Sequence, residues 1–262
     1  MKNLSQKIVR NSFVAGVALV ALVAGAGVAY ATHSWGGYHW ARTSNPFTLK
    51  LGDNVGSAWD SILATTSSDW TVSTVLDTTI VAGKTRANCK PTRGRVEVCS
   101  NTYGTNNWLG LAQIWIDGNG HITQGAVKVN DTYFKTPTYN TLAWRNLVMC
   151  QEVGHTLGLD HQDEIFGNPN LNTCMDYTSD PSSNQHPNAH DYEELGIIYA
   201  HADSTTTVGS KTSSKGNGDE VNLDDSHAWG KSLRKDSRGK HSRFERDLGN
   251  GEKIVTFVIW AE

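Results

Sequence analysis

The stretch Cys150-Gln151-Glu152-Val153-Gly154-His155-Thr156-Leu157-Gly158-Leu159-Asp160-His161 constrains this chain more tightly than any other part of it. On a helix, positions i and i+4 share a face, so Gln151 and His155 turn toward a common point. Glu152 stands beside them, close enough to take a proton from a metal-bound water without itself being a ligand. Gly158 can adopt the left-handed backbone that stops a helix and turns the chain sharply, which brings His161 back toward the same point. Leu142, Val148, Met149, Val153 and Thr156 give a helix over residues 141–157 a buried side. The spacing predicts a helix-and-turn metal site with two histidines, one neutral amide and one carboxylate.

These positions resemble the long zinc-peptidase signature H-E-x-x-H-x-x-G-x-x-H, with Gln151 where that signature has its first histidine. Thr173-Cys174-Met175-Asp176-Tyr177 then stands where metzincins have their Met-turn. The chain thus resembles the metzincin clan of zinc endopeptidases, most nearly its matrixin-like bacterial secreted members. The resemblance covers residues 33–202 in architecture and residues 141–200 in specific motifs. It implies an α+β fold: a twisted, mainly parallel sheet with an antiparallel edge strand, an active-site helix, the Met-turn and a C-terminal helix. It further implies Zn2+ held by Gln151, His155 and His161, Glu152 as general base, Gly158 at the turn and Met175 beneath the metal. Tyr177 resembles the tyrosine of the astacin and serralysin branches, which swings on and off zinc and supports the oxyanion. The implied partner is an extended protein or peptide substrate.

Three arrangements remain open at position 151. Gln151 completes the ligand set through its amide oxygen, a weaker donor to zinc than imidazole; or Tyr177 takes its place; or two histidines hold the ion loosely. Retention of Glu152 favours a zinc-dependent endopeptidase. The rival is a catalytically silent module of the same fold that grips extended peptide or another surface without cutting it. A second structural zinc or calcium, common among matrixins, has no ligand pattern that compels it, and Gly118, Asn119 and Asp131 are the candidate calcium-loop members. His33, His39, His121, His186, His190 and His201 are scattered, and Pro187 argues against a common helical face for His186 and His190.

Lys2, Lys7 and Arg10 precede an apolar run from Phe13 to Val28 and a small-x-small site at Ala29-Tyr30-Ala31, the pattern of a secretory signal peptide cut after Ala31. No later apolar run is long enough to span a bilayer. The expectation is a secreted monomer with no membrane association once the signal is removed. The formal charge of −3 becomes −6 when the three cations of the leader are lost, which gives no electrostatic footprint for nucleic acid. All four cysteines survive that cleavage, and in an oxidising compartment they imply two disulfides with three connectivities available. The favoured pairing is Cys89–Cys99, closing a small loop around Pro91 and Gly94, with Cys150–Cys174 tying the active-site helix to the Met-turn.

The chain divides on this reading into a signal peptide (1–31), a metzincin-like catalytic domain (32–202), a Ser/Thr/Gly/Lys linker (203–218) and a small C-terminal β module (219–262). Thr48–Leu51 alternates as a strand, Ser57 caps a helix running to Thr65, residues 71–81 are extended, and Arg95–Cys99 alternates again. Leu111–Ile116 and Ile122–Val129 flank the turn residues Asp117-Gly118-Asn119-Gly120, and residues 122–129 are the candidate edge strand for substrate. Asn188 opens a helix carrying Tyr192, Leu195, Ile198 and Tyr199. Gly249-Asn250-Gly251 joins a terminal hairpin that either packs on the main domain or forms its own module. The aromatic cluster Trp35, Tyr38 and Trp40 is expected to pack the N-terminal arm, with sugar binding as the alternative. The basic run Lys231, Arg234, Lys235, Arg238, Lys240 and Arg243 is expected to be a solvated face, with polyanion binding as the alternative.

Overall fold

The computed structural model describes residues 32–84, 89–211 and 222–261. The expected signal peptide, and residues 212–221 of the expected linker and module, lie outside them. Among the described residues, nine strands make one mixed sheet: β1 (His39–Trp40), β2 (Phe47–Asn54), β3 (Leu76–Ala82), β4 (Val96–Asn101), β5 (Trp108–Ile116), β6 (His121–Asn130), β7 (Lys231–Lys235), β8 (His241–Gly249) and β9 (Glu252–Trp260). Their spatial order is β3-β2-β4-β6-β5-β9-β8-β7, with β1 beside the start of β6. The strands β3, β2, β4 and β6 run parallel, and β5, β9, β8 and β7 continue the sheet in antiparallel pairs.

The helices are α1 (Asp60–Trp70), the single turn α2 (Asp131–Phe134), α3 (Leu142–Thr156) and α4 (Ala189–Ile198). Apolar side chains of α1 and α3 pack with the inner face of the sheet in one core that includes Leu49, Leu51, Ile62, Trp70, Val127, Val148 and Val153. Thr141 caps α3, its side chain accepting from Trp144 N, and Asn188 caps α4 in a reciprocal arrangement with Asp191. Ser57 does not cap α1. That helix starts at Asp60, two residues beyond the expected site, after a tight turn in which Trp59 N donates to Gly56 O at 2.8 Å. Trp59 is fully buried at this turn, its indole nitrogen donating to Asp131 at 2.8 Å.

Two expectations about organisation change. The described residues from Thr32 onward form one compact unit, with the C-terminal strands in the same sheet as the rest. Residues 203–211 are stitched to the body by backbone bonds: Asp203 N to Arg42 O, Thr207 N to Ala41 O and Gly209 N to Gly94 O, all 2.8–2.9 Å. The terminal hairpin adds β9 to β5, with Trp115 opposite Ile254 and Ala112 opposite Phe257. The second change follows from the first. Ile122–Val129 is interior, between β4 and β5, and the edge that residues 108–116 would offer is already filled by the chain's own β9. A lone hairpin cannot bury its apolar face, whereas docking on an open edge satisfies both backbone and side chains. The run Ile254–Ile259, apolar but for Thr256 and buried throughout, is the sequence mark of a strand covered on both faces.

Candidate metal centre

The end of α3 is held from outside by the N-terminal arm. Trp35 and Trp40 donate their indole N–H groups to the carbonyls of His155 (3.1 Å) and Thr156 (2.8 Å). These are two of the terminal carbonyls that a helix cannot satisfy internally. The aromatic cluster is therefore packing, and it fixes the residues that follow. Gly158 takes φ +102°, and a Cβ there would lie 2.6 Å from the Tyr38 carbonyl, so only glycine fits the turn that returns His161.

His155 and His161 meet with their Nε2 atoms 3.0 Å apart. His155 donates Nδ1–H to Leu159 O at 2.8 Å, and His161 donates Nδ1–H to the Glu164 carboxylate at 2.7 Å. Burial works to raise the Glu164 carboxyl, but hydrogen bonding and charge from His161, with Arg234 adding to them, hold it below its usual range. Burial, then the neighbouring His161, pushes the His155 imidazole well below its usual value. With both Nδ1 atoms engaged as donors, two neutral rings turn lone pairs toward each other, an arrangement that a shared cation relieves. Each ring also has the oriented outer partner that metal-bound histidines carry.

Gln151 is fully buried one helical turn before His155. Its Nε2 donates to Cys174 O at 2.8 Å, while its Oε1 has no hydrogen-bond partner among the described residues. A buried amide oxygen left in this way is an available donor atom. The two Nε2 atoms of His155 and His161 are the donors that the structure brings together, and Gln151 Oε1 is an unpartnered amide oxygen on the same helix. Glu152 lies against β5: a Cβ on Gly110 would come 2.8 Å from its Oε1. Neither of its carboxylate oxygens has a hydrogen-bond partner among the described residues, and burial pushes its pKa well above the usual range.

Both expected disulfides form. Cys150 is bonded to Cys174, and Cys89 to Cys99. Met175 packs under Gly154, where a Cβ would meet its Sδ at 2.6 Å. Tyr177 sits beside His161, with ring centroids 4.2 Å apart, but its hydroxyl donates to Val258 O on β9 at 3.1 Å. Burial, with Glu164 and Glu152 nearby, holds that phenol in its protonated form.

The C-terminal strands close the centre. Phe257 of β9 stacks on His155, and the four residues Gln151, Glu152, His155 and His161 are each 3% exposed or less. Arg234 and Arg243 both reach Asp160 Oδ2, at 2.8 and 2.7 Å, and Arg234 Nε also pairs with Glu164 at 3.1 Å. Part of the basic run is thus a clamp over the carboxylates flanking His161, not a solvated face. Glu164 and Phe257 are site residues that motif reading missed. Glu164 had a local signal, a carboxylate three residues after a candidate ligand; Phe257, far away in sequence, had none. The calcium candidates do not meet: Gly118 and Asn119 precede the ten residues of β6, and Asp131 follows them. Asp131 accepts from Trp59 instead.

Neither protein-family models nor curated proteins give a match to this chain.

Proposed function

We propose that this chain is a secreted zinc-dependent endopeptidase, held latent by its own C-terminal strand. The observation that carries the reading is the pair of buried, outwardly braced imidazoles facing each other at 3.0 Å on the helix and turn that also carry the buried Glu152. The resemblance to metzincins and the two disulfides agree with it. His155 and His161 would hold the ion, with Gln151 Oε1 as the third donor. Bound zinc would supply Lewis acidity toward a water and a peptide carbonyl.

The chain's own groups do the rest. Leu159 O and Glu164 keep Nε2 of each imidazole free to bind. Glu152 takes a proton at its carboxylate and returns it to the leaving amine. Its raised pKa belongs to the closed form, in which an ionised carboxylate has no partner. An extended peptide would pair with β5 in place of β9, since adding a strand to an open edge supplies backbone bonds along its length. Release of β9 also frees the Tyr177 hydroxyl from Val258 O, making it available to an oxyanion.

The silent-module reading draws on one feature, the depth at which Phe257 is packed. Zinc content and chelator-sensitive cleavage of a casein or gelatin substrate, measured on the native chain, Phe257→Ala and Phe257→Ala with Glu152→Gln, separate the two. Latency requires that Phe257→Ala cleave faster than the native chain and that Glu152→Gln abolish the gain. A Phe257→Ala protein that holds zinc at His155 and His161 yet never cleaves supports the silent module. Loss of no zinc on replacing these histidines sinks the endopeptidase reading, and zinc-free protein with no cleavage favours the silent module.

A further inference from the structure

Outside this centre, His39, His121 and Asp203 bring donor atoms within 4.8 Å of one another, and His201 approaches two of them. The parallel pairing of β1 with β6 sets His39 directly opposite His121. The segment leaving α4 then brings in His201 and Asp203. Asp203 Oδ1 lies 3.4 Å from His39 Nε2, 3.4 Å from His121 Nε2 and 3.6 Å from His201 Nε2. The Nε2 atoms of His39 and His201 are 3.2 Å apart. A tetrahedral ion with bonds of about 2.0–2.1 Å separates its donor atoms by roughly 3.3–3.4 Å, close to these four spacings.

Proton positions sharpen the point. His39 donates Nδ1–H to Gly37 O at 2.9 Å, which leaves the neutral ring a lone pair at Nε2. That lone pair faces Asp203 Oδ1 and His201 Nε2, an acceptor position that a hydrogen on His201 or a metal ion can fill. Asp203 is oriented for the same purpose: its Oδ2 accepts from Arg42 N at 3.1 Å and Arg42 Nη1 at 2.8 Å, turning Oδ1 to the histidines. The side chains of His39 and Asp203 are 11% exposed and that of His121 is 18%, whereas His201 is 56% exposed and forms the open side.

We infer that His39, His121, His201 and Asp203 form a second divalent-metal site, of the class that takes Zn2+. Three imidazoles and one carboxylate are a borderline donor set that suits zinc, whereas Ca2+ and Mg2+ demand oxygen. No open position remains once all four bind, so the ion is a structural clamp. It joins the N-terminal arm, the start of β6 and the segment after α4. Because Trp35 and Trp40 of that arm hold the end of α3, the clamp steadies the helix that carries His155.

The test is a zinc titration of the full chain after exhaustive chelation, compared with His121→Ala combined with His201→Ala. The expected result is loss of one equivalent of tightly bound zinc and a fall in the zinc-dependent gain in melting temperature. Co2+ substituted into a His155→Ala, His161→Ala chain should give the strong visible absorption of a tetrahedral site. Should that chain not fold, the change in zinc stoichiometry between the native chain and the His121/His201 variant decides alone. An unchanged stoichiometry, or a folded His155/His161 variant that binds neither ion, overturns the inference and leaves a protonated histidine cluster around Asp203.

Discussion

Phe257 lies flat on His155, their ring centroids 4.0 Å apart and their planes within 11°. A residue near the C-terminus thereby covers an imidazole on the central helix. Phe257→Ala is expected to cost about 3 kcal/mol or more, because the ring is fully buried and leaves a cavity. It should also expose His155 to histidine-selective reagents. Urea denaturation reads the first effect and modification kinetics the second; unaltered modification of His155 would mean that another group shields it.

Gln151→His should tighten zinc binding, since imidazole is a better donor to this metal than an amide oxygen. Competition against a chromophoric chelator gives the affinity directly. An affinity that stays the same or falls would show that residue 151 does not face the ion.

Removing the Cys150–Cys174 bond by paired substitution with alanine should lower stability by about 3 kcal/mol, the loop-closure value for a link of this span. The same change should weaken metal binding, because Cys174 O is what anchors the Gln151 amide. Cys89→Ala with Cys99→Ala serves as the comparison, expected to lower stability while leaving metal affinity intact.

Gly154→Ala sets helix propensity against packing. Alanine favours a helix interior over glycine by about 1 kcal/mol. Here the added methyl would lie 2.6 Å from Met175 Sδ and 2.7 Å from a Trp70 ring carbon. Overpacking of this kind costs about 1–3 kcal/mol, so the variant should be less stable on balance. A rise in the urea midpoint would show that Met175 moves aside without penalty.

Asp176 is pushed up to about 6 from 3.8, first by burial and, with it, by the nearby Asp163, against hydrogen bonds from Leu171 N and Asn184. A carboxyl raised on folding is protonated more readily in the native state. Its stabilising contribution is fully present below the unfolded value of 3.8 and is lost as pH rises through about 6. Asp176→Asn, which stays neutral, should flatten the decline in stability across that window. Parallel slopes in native and variant melting curves against pH would contradict it.

Much of the centre was legible in the chain because its determinants are local. The i, i+4 period aims Gln151 and His155 together, and a glycine at a left-handed position returns His161, so the sequence alone could place the two histidines near each other. The cap at Asn188 and the turn at Gly249-Asn250-Gly251 were readable for the same reason: backbone conformation there depends on residues a few places apart. Ser57 misled because a plausible cap is outvoted when Trp59 can be buried in a turn ahead of the helix.

What the sequence by itself determined, then, is the set of short-range devices: helix faces, caps, turns and the donor atoms they present. Tertiary structure alone decided which strand fills the edge of β5, that Phe257 covers His155, that Arg234 and Arg243 meet at Asp160, and that His39, His121, His201 and Asp203 share a point. Those outcomes depend on pairing between segments separated by many tens of residues. Strand register and edge choice follow from burying apolar faces and satisfying backbone groups across the whole sheet, and neither has a signature in any one stretch of chain.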